Sequence, residues 1–190
     1  MTALYLTPWR IDVTVRDAVV DAAGGRRPIA IAPLARAIAT ALDAATAPSP
    51  GSIGLILSDD AELAELNAAH LGHEGATDVL SFPLLPPEAF PAHAGDPDRG
   101  PDPRPGDVAA FIPPGRRIHL GDIVVSVERA AEQAAAGHGG QTGDVRWSTA
   151  DELRLLVTHG TLHVAGWDHL HEDEEGEMRA LEQRLLAASR

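Results

Sequence analysis

The sequence predicts an α+β domain, a small mixed β-sheet with helices packed on it, and three observations lead there. Short apolar runs of period two alternate with segments of helical period along the chain, and the last two segments are both helical. The 190 residues are 44% apolar and contain no repeat, which suits one core and a single domain over residues 1–190. Residues 86–117 collect most of the prolines, with Gly and Asp and almost no apolar period, and read as an inserted loop rather than a second domain.

Taken in order, Ile11, Val13 and Val15 alternate with polar residues as a half-buried strand does. Pro33 suits a first helical turn, and Leu34, Ile38 and Leu42 recur at helical spacing until Pro48-Ser49-Pro50-Gly51 stops the pattern. Ile53 to Leu57 is a short apolar strand. Asp59 with Glu62 three residues later resembles a capping box and opens a helix carrying Leu63 and Leu66. Val79 to Phe82 is a third strand, ended by Pro83. The inserted loop then reads as a solvated spacer joining two strands as a long hairpin, its Arg116-Arg117 end within reach of a substrate. His119 to Val127 is the next strand, and alanine-rich Glu128 to Gly137 a helix followed by a Gly-rich link. Ser148 or Thr149 starts another helix, with Asp151 and Glu152 in its first turn, where they suit the positive end of the dipole. The last helix places Met178, Leu181 and Leu185 on one face and its acids on the other.

Function is written most densely between His159 and His169, where the chain reads H-G-T-L-H-V-A-G-W-D-H. Residues four apart on a helix lie about 5–6 Å apart at Cβ, so His159 and His163 can aim at one ion. Gly166 can take the left-handed conformation that reverses the chain and returns His169 to the same point. Three neutral imidazoles leave a tetrahedral Zn²⁺ one open position, as in a catalytic site. The result is a zincin-like three-histidine metal site, His159, His163 and His169, at the end of a central helix. Leu153, Leu155, Leu156 and Leu162 would shield it, and the other ring nitrogens need carboxylate or carbonyl partners. His171, just beyond, reads as solvent-facing or as a partner behind a ligand, because a fourth imidazole would close the site. Asp168 reads as such a partner, as a proton donor, or as a cap of the turn after Gly166.

This segment resembles the H-G-x-L-H-L-x-G-Y-D-H signature of the YbeY-type endoribonucleases, zinc proteins of ribosomal RNA maturation, with Val164 for Leu and Trp167 for Tyr. Three further stretches agree in the family's order. Leu66-Asn67, Gly72 and Thr77-Asp78-Val79-Leu80-Ser81-Phe82-Pro83 resemble L-N-x-x-Y-R-G-x-x-x-x-T-[DN]-V-L-S-F-P. Leu120-Gly121-Asp122-Ile123-Val124-Val125-Ser126 resembles L-G-D-I-x-I-S, and His169 through Leu185, with Glu174, Glu175, Met178 and Glu182, resembles the closing acidic helix. The resemblance implies one zinc per chain and a single-strand-specific endoribonuclease acting in 16S rRNA maturation and ribosome quality control. It departs at His70-Leu71-Gly72: a leucine, Leu71, stands where the family carries an arginine thought to face the substrate.

Composition narrows the setting. The net charge of −13 argues against a broad nucleic-acid-binding face, since phosphates are held largely by Lys and Arg. Arg suits phosphate by its planar fork, so Arg26-Arg27 or Arg116-Arg117 could still serve, although both pairs equally read as solvated loop charges. With no cysteine, a metal must use His, Asp or Glu, which suits a reducing cytosol. The N-terminus breaks its apolar residues at Thr7-Pro8-Trp9-Arg10, and no uncharged apolar run reaches the roughly 18 residues of a membrane span, so the expected place is the cytoplasm, without a membrane partner.

Zinc on three imidazoles can lower the pKa of a bound water from 15.7 toward about 7, and the hydroxide so formed can hydrolyse a phosphodiester. The rival enzyme class is a metalloprotease, because the histidine spacing and the glycine also fit the metzincin pattern. That class uses H-E-x-x-H with the glutamate as general base, and here the second residue is Gly160. A third reading is a non-catalytic ribosome-assembly protein with the same zinc site, whose acidic surface would suit basic small-subunit ribosomal proteins.

Overall fold

The structure, a computed structural model, describes residues 1–17, 19, 29–93, 116–137, 147–168 and 172–188. Its elements run β1 (Thr2–Leu6), β2 (Trp9–Val15), α1 (Ile31–Ala44), β3 (Gly51–Ser58), α2 (Asp60–Leu71), β4 (Val79–Pro83), a 3₁₀ turn at Pro87–Ala89, β5 (Ile118–Ser126), α3 (Val127–Ala136), α4 (Thr149–Val164) and α5 (Glu172–Ala188). The strands form one mixed sheet of order β1-β2-β3-β5-β4. The expected α+β class with a small mixed sheet and packed helices is therefore what the chain adopts.

The centre of the sheet is parallel, β2 with β3 and β3 with β5, while the two edges are antiparallel. Parallel strands are usually covered on both faces, which accounts for the nearly continuous apolar runs of β3 and β5. On one face Ile11, Val13, Ile53, Leu55, Ile123 and Val125 pack with Leu34, Ile38 and Leu42 of α1 and Leu153, Leu156 and Val157 of α4. On the other, Leu80, Val124 and Ile56 meet Leu63 and Leu66 of α2. Ala41, Leu162 and Met178 then join α1, α4 and α5 in a smaller cluster. Helix α4 thus lies between the sheet and α5, the central position expected for the histidine-bearing helix.

Helix ends follow local chemistry. Asp59 caps α2 by accepting from the Glu62 backbone N–H at 2.9 Å. The Glu62 carboxylate does not complete the capping box but turns to Arg16 and Ser58. Ser148 caps α4 in a full capping box with Asp151. β4 and β5 pair antiparallel, the long hairpin that the loop was expected to join.

Two features depart from the expectations. β1 has no counterpart in the apolar pattern: it pairs along its whole length with β2, and the Thr7-Pro8 step that interrupts the apolar residues there is their turn. The start of the 86–117 segment is no solvated spacer, because Phe90 and Ala89 belong to the main core and Phe90 is only 1% exposed. One large aromatic side chain was enough to anchor a stretch without any apolar period. Among the described residues no helix is long and apolar enough to cross a membrane.

Candidate metal centre

His159 and His163 lie on the last two turns of α4, with the ring Nε2 atoms 3.1 Å apart and the rings at 80° to one another. Each Nδ1 is engaged elsewhere. His159 Nδ1 faces Glu182 Oε1 at 2.6 Å, and His163 Nδ1 faces the Trp167 carbonyl oxygen at 2.9 Å. Carbonyl and carboxylate oxygens only accept, so each neutral ring carries its proton on Nδ1 and turns an Nε2 lone pair toward its neighbour. Two lone pairs at that separation repel unless a cation, a metal ion or a proton, lies between them. Zn–N bonds of about 2.0–2.1 Å to both atoms fit an Nε2 separation of this size. The donor set is therefore suited to zinc. Among the described residues no group of three or more His, Asp or Glu surrounds a common point. The third expected ligand, His169, lies outside the described residues, as does His171.

The turn expected at Gly166 is present. α4 ends at Val164, Gly166 takes φ 86°, and Gly166 N–H donates to His163 O at 3.0 Å while Trp167 N–H donates to Leu162 O at 3.1 Å. This is the paired bonding of a Schellman end, which only a residue tolerant of positive φ completes without strain. Asp168 is exposed, and its backbone N–H donates to Glu174 Oε1 at 2.8 Å.

Gly160 faces the sheet. A Cβ there would lie 2.9 Å from Ile123 Cγ2 and 3.1 Å from both Ser81 Oγ and Val79 Cγ2, and Ser81 Oγ donates to the Gly160 carbonyl at 3.1 Å. No glutamate fits this position as the chain is packed, so the general base of a metzincin is missing from both sequence and space.

Helix α5 corrects a further expectation. Its acids do not all lie away from the apolar face, because Glu174 and Glu182 are 4% and 8% exposed on the same side as Met178. Each is buried because it accepts a hydrogen bond, Glu174 from the Asp168 backbone and Glu182 from His159. Sequence reasoning required a carboxylate or carbonyl behind each ring, and Glu182 supplies it for His159 and the Trp167 carbonyl for His163.

Beside His159 opens a pocket of about 360 Å³, lined by the apolar Val79, Leu155, Leu156 and Met178 and by Asp78, Glu152, Glu175, Glu182 and Arg179. Arg179, ion-paired with Glu175, is the one arginine lining it among the described residues. The arginine pairs singled out earlier do not join this site in the described structure. Arg117 donates to the Pro8 carbonyl at the β1–β2 turn, whereas α4 lies over β4 and β5. Arg26 and Arg27 lie outside the described residues. Leu71 ends α2 and is 58% exposed.

A family model described as Endoribonuclease YbeY matches residues 28–190. A protein named Endoribonuclease YbeY from Salinispora tropica is 43% identical over 139 residues, 73% of this chain and 74% of that protein. Namesakes from a Synechococcus species and from Mycobacterium ulcerans are each 42% identical, over 71% and 73% of this chain and 64% of their own lengths. The match thus spans just under two thirds of those two relatives. The solution structure of TM1509 from Thermotoga maritima superposes with a TM-score of 0.50 at 20% identity, covering 94% of this chain and 88% of that one, a likeness of fold.

Proposed function

The chain belongs to the endoribonuclease YbeY family, and from that premise we propose that it is a zinc-dependent, single-strand-specific endoribonuclease that hydrolyses a phosphodiester of ribosomal RNA. Its place is in 16S rRNA maturation and ribosome quality control in the cytoplasm, with small-subunit ribosomal proteins as further partners. The observation that carries the reading is the pair of Nε2 lone pairs 3.1 Å apart, each set by a hydrogen bond from the opposite ring nitrogen. His159, His163 and His169 would hold the ion. Bound there, zinc supplies a Lewis acid and an acidified water.

The chain's own residues do the rest. Glu182 and the Trp167 carbonyl fix both tautomers and ring orientations, which turns both Nε2 atoms toward one ligand. The apolar side chains lining the neighbouring pocket suit the face of an unpaired base, and Arg179 among its lining can meet a phosphate. Asp168, exposed at the end of the turn, is the candidate for the proton that the departing 5′ oxygen needs, or for a partner behind a ligand.

One single-stranded RNA, incubated with wild type, with His163→Ala and with wild type plus chelator, tests this. Dialysed wild type should hold close to one zinc per chain and cleave, and the other two arms should not. Cleavage surviving His163→Ala would indicate a contaminating nuclease. No cleavage by zinc-loaded wild type would overturn the nuclease reading in favour of a non-catalytic assembly protein.

A further inference from the structure

The segment Pro87–His93, which composition alone marks as spacer, is packed against the turn that leads to His169. A Cβ built on Gly166 would lie 3.2 Å from Pro87 Cα and 3.5 Å from Phe90 Cδ2, so the segment's backbone and its buried aromatic ring rest on the turn itself. Three residues further on, the His93 ring stacks on the Trp167 indole with centroids 3.8 Å apart and an interplanar angle of 10°. Its Nε2 lies 3.4 Å from both the Gly166 carbonyl oxygen and Glu174 Oε1, two long contacts for one N–H, and its side chain is 7% exposed against 6% for Glu174. Glu174 in turn accepts from the Asp168 backbone N–H.

Every residue of the turn is therefore held from outside helix α4: Gly166 through its carbonyl, Trp167 through its ring, Asp168 through its N–H. Two contacts of His163 depend on that turn. The Trp167 carbonyl orients His163, and the Gly166 N–H donates to the His163 carbonyl. A helix C-terminus closed only by a Schellman end leaves the next residues free to pivot, and each Å of pivot displaces a ligand whose bond to the ion tolerates only about 0.2 Å. A stacked, buried imidazole removes that freedom without touching the ion.

We propose that His93 is a positioning residue for the metal centre: stacked on Trp167 and bonded toward Gly166 and Glu174, it presets the 166–168 turn, and with it the Trp167 carbonyl, so that His163 faces one ion with His159. The inference rests on the zinc reading above. It predicts that His93 acts on metal affinity rather than on the fold, and that a flat polar side chain can stand in for it where an apolar one of similar size cannot.

Zinc affinity, measured by competition with a chromophoric chelator, and the melting temperature of the metal-free protein are read for wild type, His93→Leu, His93→Gln and His93→Phe. Loss of a group bonded directly to a metal ligand costs about 10–100-fold in affinity, and His93, one step further out, is expected to cost about 10-fold, the lower end, in His93→Leu. Glutamine, whose flat amide can lie on the indole and donate to Glu174, should recover most of it. Phenylalanine, which keeps the stack without the N–H, should fall between the two, and it preserves the comparison if the leucine variant does not fold. Equal zinc affinity in wild type and His93→Phe or His93→Leu would overturn the proposal. So would losses that follow the metal-free melting temperature and are not relieved by glutamine, since those are the mark of packing alone. A wild-type chain that takes up no zinc would overturn the metal reading as well, whereas a zinc-binding wild type with indifferent His93 variants would overturn only this one.

Discussion

A carboxylate shielded from water costs several kcal/mol unless it is paired, and Glu182, 8% exposed, meets that cost through His159 Nδ1 at 2.6 Å. The histidines themselves were legible because residues four apart share a helix face. Glu182 was not, because it lies 23 residues from His159 and only the docking of α5 on α4 brings them together. The same blindness hid the Glu62 pairing, 46 residues from Arg16. The hydrogen bond from Arg16 is the main cause holding the Glu62 carboxyl below its ordinary range, helped by Ser58 and by the Arg16 charge and opposed by partial burial. A depressed carboxylate pKa stabilises the fold above the unfolded value, and the contribution is lost as pH falls through the folded value. Glu62→Gln should therefore lower stability near pH 7 and lose its effect in acid below the carboxylate range. With Arg16 44% exposed, solvent screening limits the difference to about 1 kcal/mol at most. Thermal melts of both proteins at neutral and acid pH check this, and a difference that grows in acid would contradict it.

At the scale of elements, α4 approaches the sheet closely because Gly160 has no side chain. Alanine there would put a Cβ within 2.9 Å of Ile123 Cγ2, so the helix or the strand must shift. Overpacking of this kind costs about 1–3 kcal/mol, and because His159 is the adjacent residue the shift should also weaken zinc binding. Gly160→Ala is thus expected to lower both the melting temperature and the metal affinity, and an unchanged pair of values would mean that the contact is loose. Phe90 makes the opposite case, a side chain doing much in a segment that reads as filler. Period and composition locate repeated apolar positions, and a single buried ring leaves no period to find. Removing a buried Phe costs about 3–5 kcal/mol. Phe90→Ala should lower stability by that order in a denaturant melt, and deletion of residues 86–117 should cost at least as much. A deletion that left the midpoint unchanged would show that the ring contributes no net burial. β1 escaped for a related reason. It is an edge strand with one buried side at most, and its alternation is too shallow to separate from a turn-flanked coil.

Over the whole molecule the net charge is −13 with arginine as the sole fixed cation besides the N-terminus, so the long-range field repels RNA and close contacts must carry its binding. Such binding should depend only weakly on salt, because log K falls with log salt at about 0.7 per single-strand phosphate neutralised. Leu71, exposed at the end of α2, follows His70, whose ring meets Phe82 of β4 edge-on at 5.2 Å, and this places residue 71 near the sheet edge over which α4 lies. An arginine stem at this position can reach a strand passing that edge. Leu71→Arg should therefore tighten RNA binding and steepen its salt slope by about 0.7, the increment for one added phosphate. If the new guanidinium also meets charge developing in the reaction, cleavage at saturating RNA should rise as well, toward the 10²–10³-fold typical of a single donor. Binding and single-turnover cleavage of one unstructured RNA between 50 and 200 mM salt separate the two effects. A steeper slope with unchanged saturated rate makes residue 71 part of the RNA path only, a rise in both makes it part of the reaction, and an unchanged slope removes this end of α2 from the substrate's course.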